Sequence, residues 1–308
     1  MDKVTVLVDA DPLVYRVGFS LEQRVWYTQW VDVQADGDVI HTAKFYNAAA
    51  RDRFCELMNL HPDEVAHQLV PVPTSNEAIV YGRVKQSLRD IEQNVAEYLA
   101  VKGQEIGEFR LFLTGGGNFR ETLATIKPYK GNRDRSTRPF WYKEIRTYLV
   151  DRWGAEVVEG MEADDAVSIL QWNGEDGSTI ICTIDKDLEN VPGHFYNYHK
   201  KEARYISLPE ATRNFYRQII VGDASDNIPG CYKKGKGYAK AGIPDDMESE
   251  QDMWTVVLAT YEQNLEQYPE YHAPHSDPRE AAVENARLLW MLVDEGTMWI
   301  PPDEREET

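Results

Sequence analysis

An α/β fold, with a mostly parallel central sheet flanked by helices, is predicted by two features of this 308-residue chain. Short apolar strands alternate with helical patterns, and acidic clusters begin where those strands end, at the edge where open parallel sheets bind ligands. The length is enough for one large domain or two modest ones with a substantial core. Hydrophobic residues at 42% and charged residues at 28% place the chain with globular proteins and exclude a disordered one.

The elements follow in order. Val4–Asp9 is a β-branched run that ends in polar residues, and Arg110–Thr114, Ala155–Val158 and Thr179–Thr183 repeat that design. Val80, Val84, Leu88, Ile91, Val95 and Leu99 recur every three or four residues, one face of a long amphipathic helix. A second helix is expected over Trp141–Trp153, and Met253–Tyr261 and Ala281–Val293 read as helices that pack on the domain. Residues 20–77 read as an insertion between the first strand and the long helix. It holds a hairpin (Val25–Val33 and Asp38–His41 across Asp36-Gly37) and a stretch with Pro71-Val72-Pro73. A substrate-contacting arm and a surface insertion both fit it.

No apolar run approaches the ~18 residues of a membrane helix, and no basic and apolar leader precedes the first strand, so neither a membrane span nor a secretory signal is expected. Cys55, Cys182 and Cys231 lack metal-ligand or disulfide spacing, which makes a reducing cytoplasm the expected compartment. The histidines lack the cysteine or carboxylate pattern of a zinc site.

The net charge of −19 is the reverse of a simple DNA-coating protein. A ligand, however, meets local charge, because screening acts over about 8 Å at physiological salt. Residues 120–146 hold eight bases (Arg120, Lys127, Lys130, Arg133, Arg135, Arg138, Lys143, Arg146) against three acids. Lys233, Lys234, Lys236 and Lys240 form a second basic run with no acid among residues 233–240. The closing acidic stretch from Asp303 reads as a solvated terminus.

Four acidic clusters fall at or near one sheet edge: Asp9 and Asp11, Glu162 with Asp164 and Asp165, Asp185 and Asp187, and Asp223 and Asp226. Taken singly, each has an ordinary explanation as a helix start or a turn. Gathered together, the carboxylates would repel and raise one another's pKa. A divalent metal removes that penalty, and all-oxygen ligands select Mg²⁺ or Mn²⁺. With bases nearby, such a site suits hydrolysis of a phosphate ester, with nucleic acid as the expected substrate.

The motifs VDAD (8–11), NFRETL and PYKGNR (118–133), GMEADDA (160–166), TIDKDL (183–188) and GDASDNIPG (222–230), in that order, resemble the 5′-nuclease superfamily of flap endonucleases, bacteriophage 5′→3′ exonucleases and the 5′-nuclease domain of bacterial DNA polymerase I. The resemblance covers roughly residues 1–20 and 108–245. It implies a PIN-like catalytic domain over 1–220, with 120–146 as the basic arch region. Over 221–308 it implies a helix–three-turn–helix DNA-binding element followed by the C-terminal helices.

It further implies two Mg²⁺ or Mn²⁺ ions held by Asp9, Glu162, Asp164, Asp165, Asp185, Asp187, Asp223 and Asp226. Arg120, Lys130 and Arg133 would grip phosphates near the scissile bond. Lys127, Arg135 and Arg138 would face nucleic acid, as would Lys233, Lys234, Lys236 and Lys240, in an element that often carries K⁺. The implied substrate is DNA with 5′ ends, flaps or nicks, and also RNA of RNA–DNA hybrids. The implied setting is phage replication or processing in the host cytoplasm. The lysine-rich segment CYKKGKGYAKAG departs from the family's usual wording.

A second departure is the absence of the aspartate that many relatives carry after the second strand, where this chain reads Thr114-Gly115-Gly116-Gly117. Asp11 is the expected substitute: Pro12 biases it toward an extended conformation, so that Asp9 and Asp11 could share one face. Two other readings stay open, a DNA-junction binding module with impaired catalysis and a PIN-type ribonuclease.

Overall fold

The computed structural model of the chain describes residues 2–32, 38–133 and 138–305. Val33, the expected Asp36-Gly37 turn and Arg135 lie outside them. The first half runs β1 (Asp2–Asp9), α1 (Asp11–Ser20), β2 (Glu22–Asp32), β3 (Val39–Phe45), α2 (Ala48–Leu57), β4 (Val65–Pro73), α3 (Glu77–Val101) and β5 (Gln104–Thr114). Then come α4 (Phe119–Leu123), α5 (Tyr142–Trp153), β6 (Glu156–Val158), α6 (Ala163–Asn173), β7 (Thr179–Thr183), β8 (Gly193–Asn197) and β9 (Glu202–Ile206). The chain closes with α7 (Leu208–Val221), α8 (Lys236–Gly242), α9 (Glu250–Gln267) and α10 (Pro278–Leu289).

Two compact units result: Met1–Pro12 with Leu88–Thr137 and Leu149–Thr308, and Leu13–Ser87 with Arg138–Tyr148. The first unit is a mixed α/β layer structure around a six-stranded sheet of order β6-β5-β1-β7-β8-β9. Every pairing is parallel except β8 with β9. β1 lies centrally, and Val4, Val6, Leu7 and Val8 are buried, as the near-continuous apolar run of a strand covered on both faces requires.

Because β5, β1 and β7 run parallel, their carboxyl ends share an edge. Asp9 pairs with Phe112, and Val8 with Cys182. That register brings the end of β1 beside Thr183 on one side and two residues short of Thr114 on the other. One core packs α6 on the sheet through Leu7, Phe112, Val167, Ile181 and Phe195. A second joins α7–α10 through Phe215, Ile219, Trp254, Val257, Leu289 and Trp299.

The second unit contains a three-stranded antiparallel sheet of order β3-β2-β4. Its β2–β3 pair is the expected hairpin with longer arms. The Pro71-Val72-Pro73 stretch is the end of β4. Pro71 and Pro73 are tolerated because β4 is an edge strand, where a missing N–H facing away from the ladder costs no bond.

Other expectations need correcting. Asp11 is not extended: it opens α1, where Pro12 is harmless because the first-turn N–H has no helical partner. The last helix stops at Leu289 rather than Val293, since Trp290 turns to extended backbone. Of the closing acids, Asp303 and Glu304 are not simply solvated: both bind Arg279, and Asp303 also accepts from the Trp254 indole, while Glu306 and Glu307 lie outside the described residues. All three cysteines are free. Among the described residues no helix is long and apolar enough to cross a membrane.

Candidate active site

The carboxyl edge of the sheet gathers the acids of the first unit. Asp9, the last residue of β1, is buried and accepts a 2.9 Å hydrogen bond from the hydroxyl of Thr183, its neighbour at the end of β7. Burial, then the charges of Asp11 and Asp185, push its pKa well above the ordinary carboxylate value. Asp185 follows two residues after Thr183, and its carboxylate accepts the Asp187 N–H at 3.0 Å. Burial again raises it, with Asp226 and Asp223 adding repulsion.

The GMEADDA segment folds over the same edge because Thr114, at the end of β5, accepts the Ala163 N–H through its hydroxyl at 2.9 Å. Glu162 caps α6, and Asp164 and Asp165 occupy its first turn. Asp164 is raised well above the ordinary value by burial, Glu162 and Asp165. Among the described residues no basic side chain lies within ion-pair distance of Asp9, Asp164 or Asp185.

The remaining acids already hold partners. Asp165 is buried and takes a two-pronged pair from Arg120, at 2.6 and 2.8 Å. Glu162 binds the Lys130 ammonium and, at 2.7 Å, the Tyr129 hydroxyl. Asp226 binds Arg133 and Tyr129, with Lys130 at 3.5 Å. Asp223 takes the Lys186 ammonium at 2.5 Å. Burial alone would push Asp223 up, but Lys186 and Ser225 outweigh it and hold the carboxyl below its ordinary value. Asp187 accepts from Gln218 at 2.7 Å, and burial with the Asp185 and Asp223 charges pushes it up to about 7.

The loop that carries Tyr129, Lys130 and Arg133 and the loop that carries Asp223 and Asp226 are stitched together. In PYKGNR, Lys130 sits in the left-handed region at φ +52°, and a Cβ on Gly131 would stand 2.9 Å from Pro128 Cβ. In GDASDNIPG, Gly222 and Gly230 approach so closely that a Cβ on Gly222 would lie 2.5 Å from Gly230 N. The Lys130 N–H donates to Asp226 O at 2.9 Å. Asn132 donates to Ala224 O and Asn227 to Pro128 O, both at 2.8 Å.

Arg120 is not available to a phosphate. It is wholly buried, and besides Asp165 it donates to the carbonyls of Leu288 and Trp290, at 2.9 and 2.7 Å. It joins α4, α6 and the end of α10. Lys130 and Arg133, by contrast, reach the acidic edge from its solvent side. Lys127 stands 4.8 Å over the Tyr271 ring. Arg138 belongs to the second unit and stacks on Tyr142 at 4.6 Å.

Lys233, Lys236 and Lys240 are exposed between α7 and the end of α8, with Lys234 half-buried over Tyr238 at 4.0 Å. Asn264, fully buried, holds this turn by bonding both the N–H and the C=O of Tyr232.

The absence of an acid at Gly115 also has a structural counterpart. A Cβ there would meet Glu159 Oε1 at 2.4 Å, and Glu159 accepts the Gly116 N–H at 2.7 Å. Asp11 sends its carboxylate to the same strand end, where it accepts the Thr114 N–H at 2.9 Å. Tyr129, Thr183, Lys186 and Gln218 were not singled out from sequence. Tyr129, Thr183 and Lys186 lie inside PYKGNR and TIDKDL, so position within a motif was the available signal. Gln218 lies on α7, whose apolar stripe of Ala211, Phe215 and Ile219 at helical spacing was the available signal for the helix but not for Gln218.

The donors are all oxygen, and Asp9, Asp164 and Asp185 stay raised in pKa with no ion-pair partner among the described residues, which suits a hard divalent cation. As the side chains are placed, no three acid, histidine or cysteine groups among the described residues close around one ion.

The chain matches no protein-family model and no curated protein sequence. Among solved structures it is similar to a T5 protein co-crystallised with metal ions, at 15% identity over 92% of this chain and 89% of that one, with a TM-score of 0.48. It is also similar to a mutant of the T5 5′-exonuclease, at 13% identity over 68% of this chain and 81% of that one, with a TM-score of 0.44.

Proposed function

We propose that the chain is a metal-dependent nuclease that hydrolyses phosphodiester bonds near the 5′ ends of DNA, as a 5′→3′ exonuclease or flap endonuclease. The observation that carries this reading is the trio Asp9, Asp164 and Asp185, which comes from three chain segments to one sheet edge, each raised in pKa and, among the described residues, in no ion pair. Burying mutually repelling carboxylates is costly, and a structural protein gains nothing from it.

Mg²⁺ or Mn²⁺ held by these three, with Glu162, Asp223 and Asp226 from the flanking segments, would supply an activated water and stabilise the leaving oxygen. The chain's own residues do the rest. Lys130 and Arg133 neutralise the phosphate being cut, and Thr183 orients Asp9. Tyr129 ties the α6 acids to the 222–230 loop. Lys233, Lys234, Lys236 and Lys240 track a duplex backbone, which positions the substrate without reading its sequence. Arg120 acts through the fold, by fixing Asp165 and hence the start of α6.

The test is cleavage of end-labelled 5′-flap, nicked and blunt duplex DNA with Mg²⁺ or with EDTA, beside Asp164→Asn. Metal-dependent cutting that vanishes in the variant is expected, and product lengths separate stepwise from flap cutting. Flap binding without cleavage in either Mg²⁺ or Mn²⁺ would overturn the enzyme reading in favour of a junction-binding module.

A further inference from the structure

The Lys130 ammonium lies between two carboxylates from different segments, Glu162 at the start of α6 and Asp226 in the 222–230 loop, in contact with the first and 3.5 Å from the second. Tyr129 spans the same two groups, its hydroxyl 2.7 Å from each. One hydroxyl proton cannot serve both acceptors at once, so the pair needs cations: Arg133 binds Asp226 alone and Arg120 lies 3.8 Å from Glu162 alone, whereas Lys130 reaches both. Both carboxylates are counted among the metal donors of the proposed nuclease. A lysine head and a divalent ion cannot share that position.

We infer that Lys130 is the built-in counter-cation of the Glu162–Asp226 pair and exchanges with the divalent metal, so that loading the metal frees the ammonium for the substrate phosphate. This rests on the nuclease reading above. The exchange needs a side-chain swing only. The Lys130 backbone is pinned to Asp226 O, and its loop is pinned by Asn132 and Asn227. A flexible four-carbon stem on a fixed backbone keeps the released charge within the site. The order of events is therefore set by the chain: metal first, then a lysine able to grip phosphate, with no protein-wide movement.

The experiment reads metal binding and lysine accessibility, not cleavage. Mn²⁺ binding is followed by loss of the free-ion paramagnetic resonance signal for wild type and Lys130→Met. In parallel, wild type is acetylated with a water-soluble succinimidyl ester across a Mn²⁺ titration, and modification of Lys130 is read by peptide mass spectrometry. Exchange predicts that Lys130 labelling rises with Mn²⁺, with a midpoint at the wild-type affinity, and that Lys130→Met binds Mn²⁺ about tenfold tighter or more. Mn²⁺ binding with Lys130 labelling unchanged or reduced would overturn the exchange and leave the nuclease reading standing. Absence of Mn²⁺ binding in both proteins would overturn the nuclease reading itself, and the exchange with it.

Discussion

Arg120 and Asp165 form a fully buried, two-pronged ion pair at 2.6 and 2.8 Å, and the arginine's remaining bonds run to Leu288 and Trp290 at the far end of the chain. Breaking a buried pair leaves one charge uncompensated, at a cost of about 3–5 kcal/mol. Asp165→Asn and Arg120→Gln are each expected to lose stability in that range in urea unfolding. Replacing both together with apolar residues should recover much of the loss. A variant that kept its stability and lost only cleavage would return Arg120 to the phosphate.

Asp164 is destabilised where it stands, by burial and by Glu162 and Asp165. Asp164→Asn is therefore expected to raise the thermal midpoint of the metal-free protein while abolishing metal-dependent cleavage, a trade of stability for function. Differential scanning calorimetry in EDTA measures the first effect. An unchanged or lower midpoint would mean that the charge is already neutralised by its surroundings.

Asp187 sits at about 7 in the folded chain against roughly 3.9 when unfolded. The folded state binds its proton more tightly, so its contribution is fully present below the unfolded value and is lost as pH rises toward 7. The buried histidines His194 and His272 are lowered and tilt the same window the other way. The comparison is thus between wild type and Asp187→Asn. The variant should be more stable at pH 8, on the order of 2 kcal/mol, with the gap narrowing as pH falls and closing only below about pH 4. Parallel urea midpoints across that range would contradict the shift.

Asp11 does two separable things: it accepts the Thr114 N–H and it places charge beside Asp9. Asp11→Asn keeps an acceptor and removes the charge. If Asp11 stands in for the acid missing at Gly115, this variant should bind Mn²⁺ about tenfold or more weakly by calorimetry, with its thermal midpoint kept. Asp11→Ala should also lose about 1 kcal/mol from the lost backbone hydrogen bond. Undiminished Mn²⁺ affinity in both would leave the missing acid uncompensated by Asp11.

Lys233, Lys236 and Lys240 are exposed, though Lys240 also pairs with Asp245 at 2.9 Å. Each lysine that contacts a phosphate contributes about 0.9 to the slope of log affinity against log salt. Lys233→Ala and Lys236→Ala should each flatten that slope by about this amount in fluorescence anisotropy with duplex DNA, independently of sequence. An unaltered slope would take this segment out of the interface.

The sequence by itself determined the sheet edge. Strand character and strand ends are written locally, so Val4–Asp9, Arg110–Thr114 and Thr179–Thr183 were legible, and with them the acids that follow. The stripe from Val80 to Leu99 was legible for the same reason, since helical spacing repeats within one segment. Tertiary structure alone decided which base meets which acid. Arg120 and Lys130 lie in one basic stretch and read alike. Yet Arg120 finds Asp165 in the core while Lys130 bridges Glu162 and Asp226 at the surface, because those partners lie dozens of residues away and only the folded register brings them near. Elements whose pattern is overruled by their neighbours were likewise hidden. β4 is a strand despite Pro71 and Pro73 because it needs only one partner, and β8, wholly buried, has no polar face to announce its period.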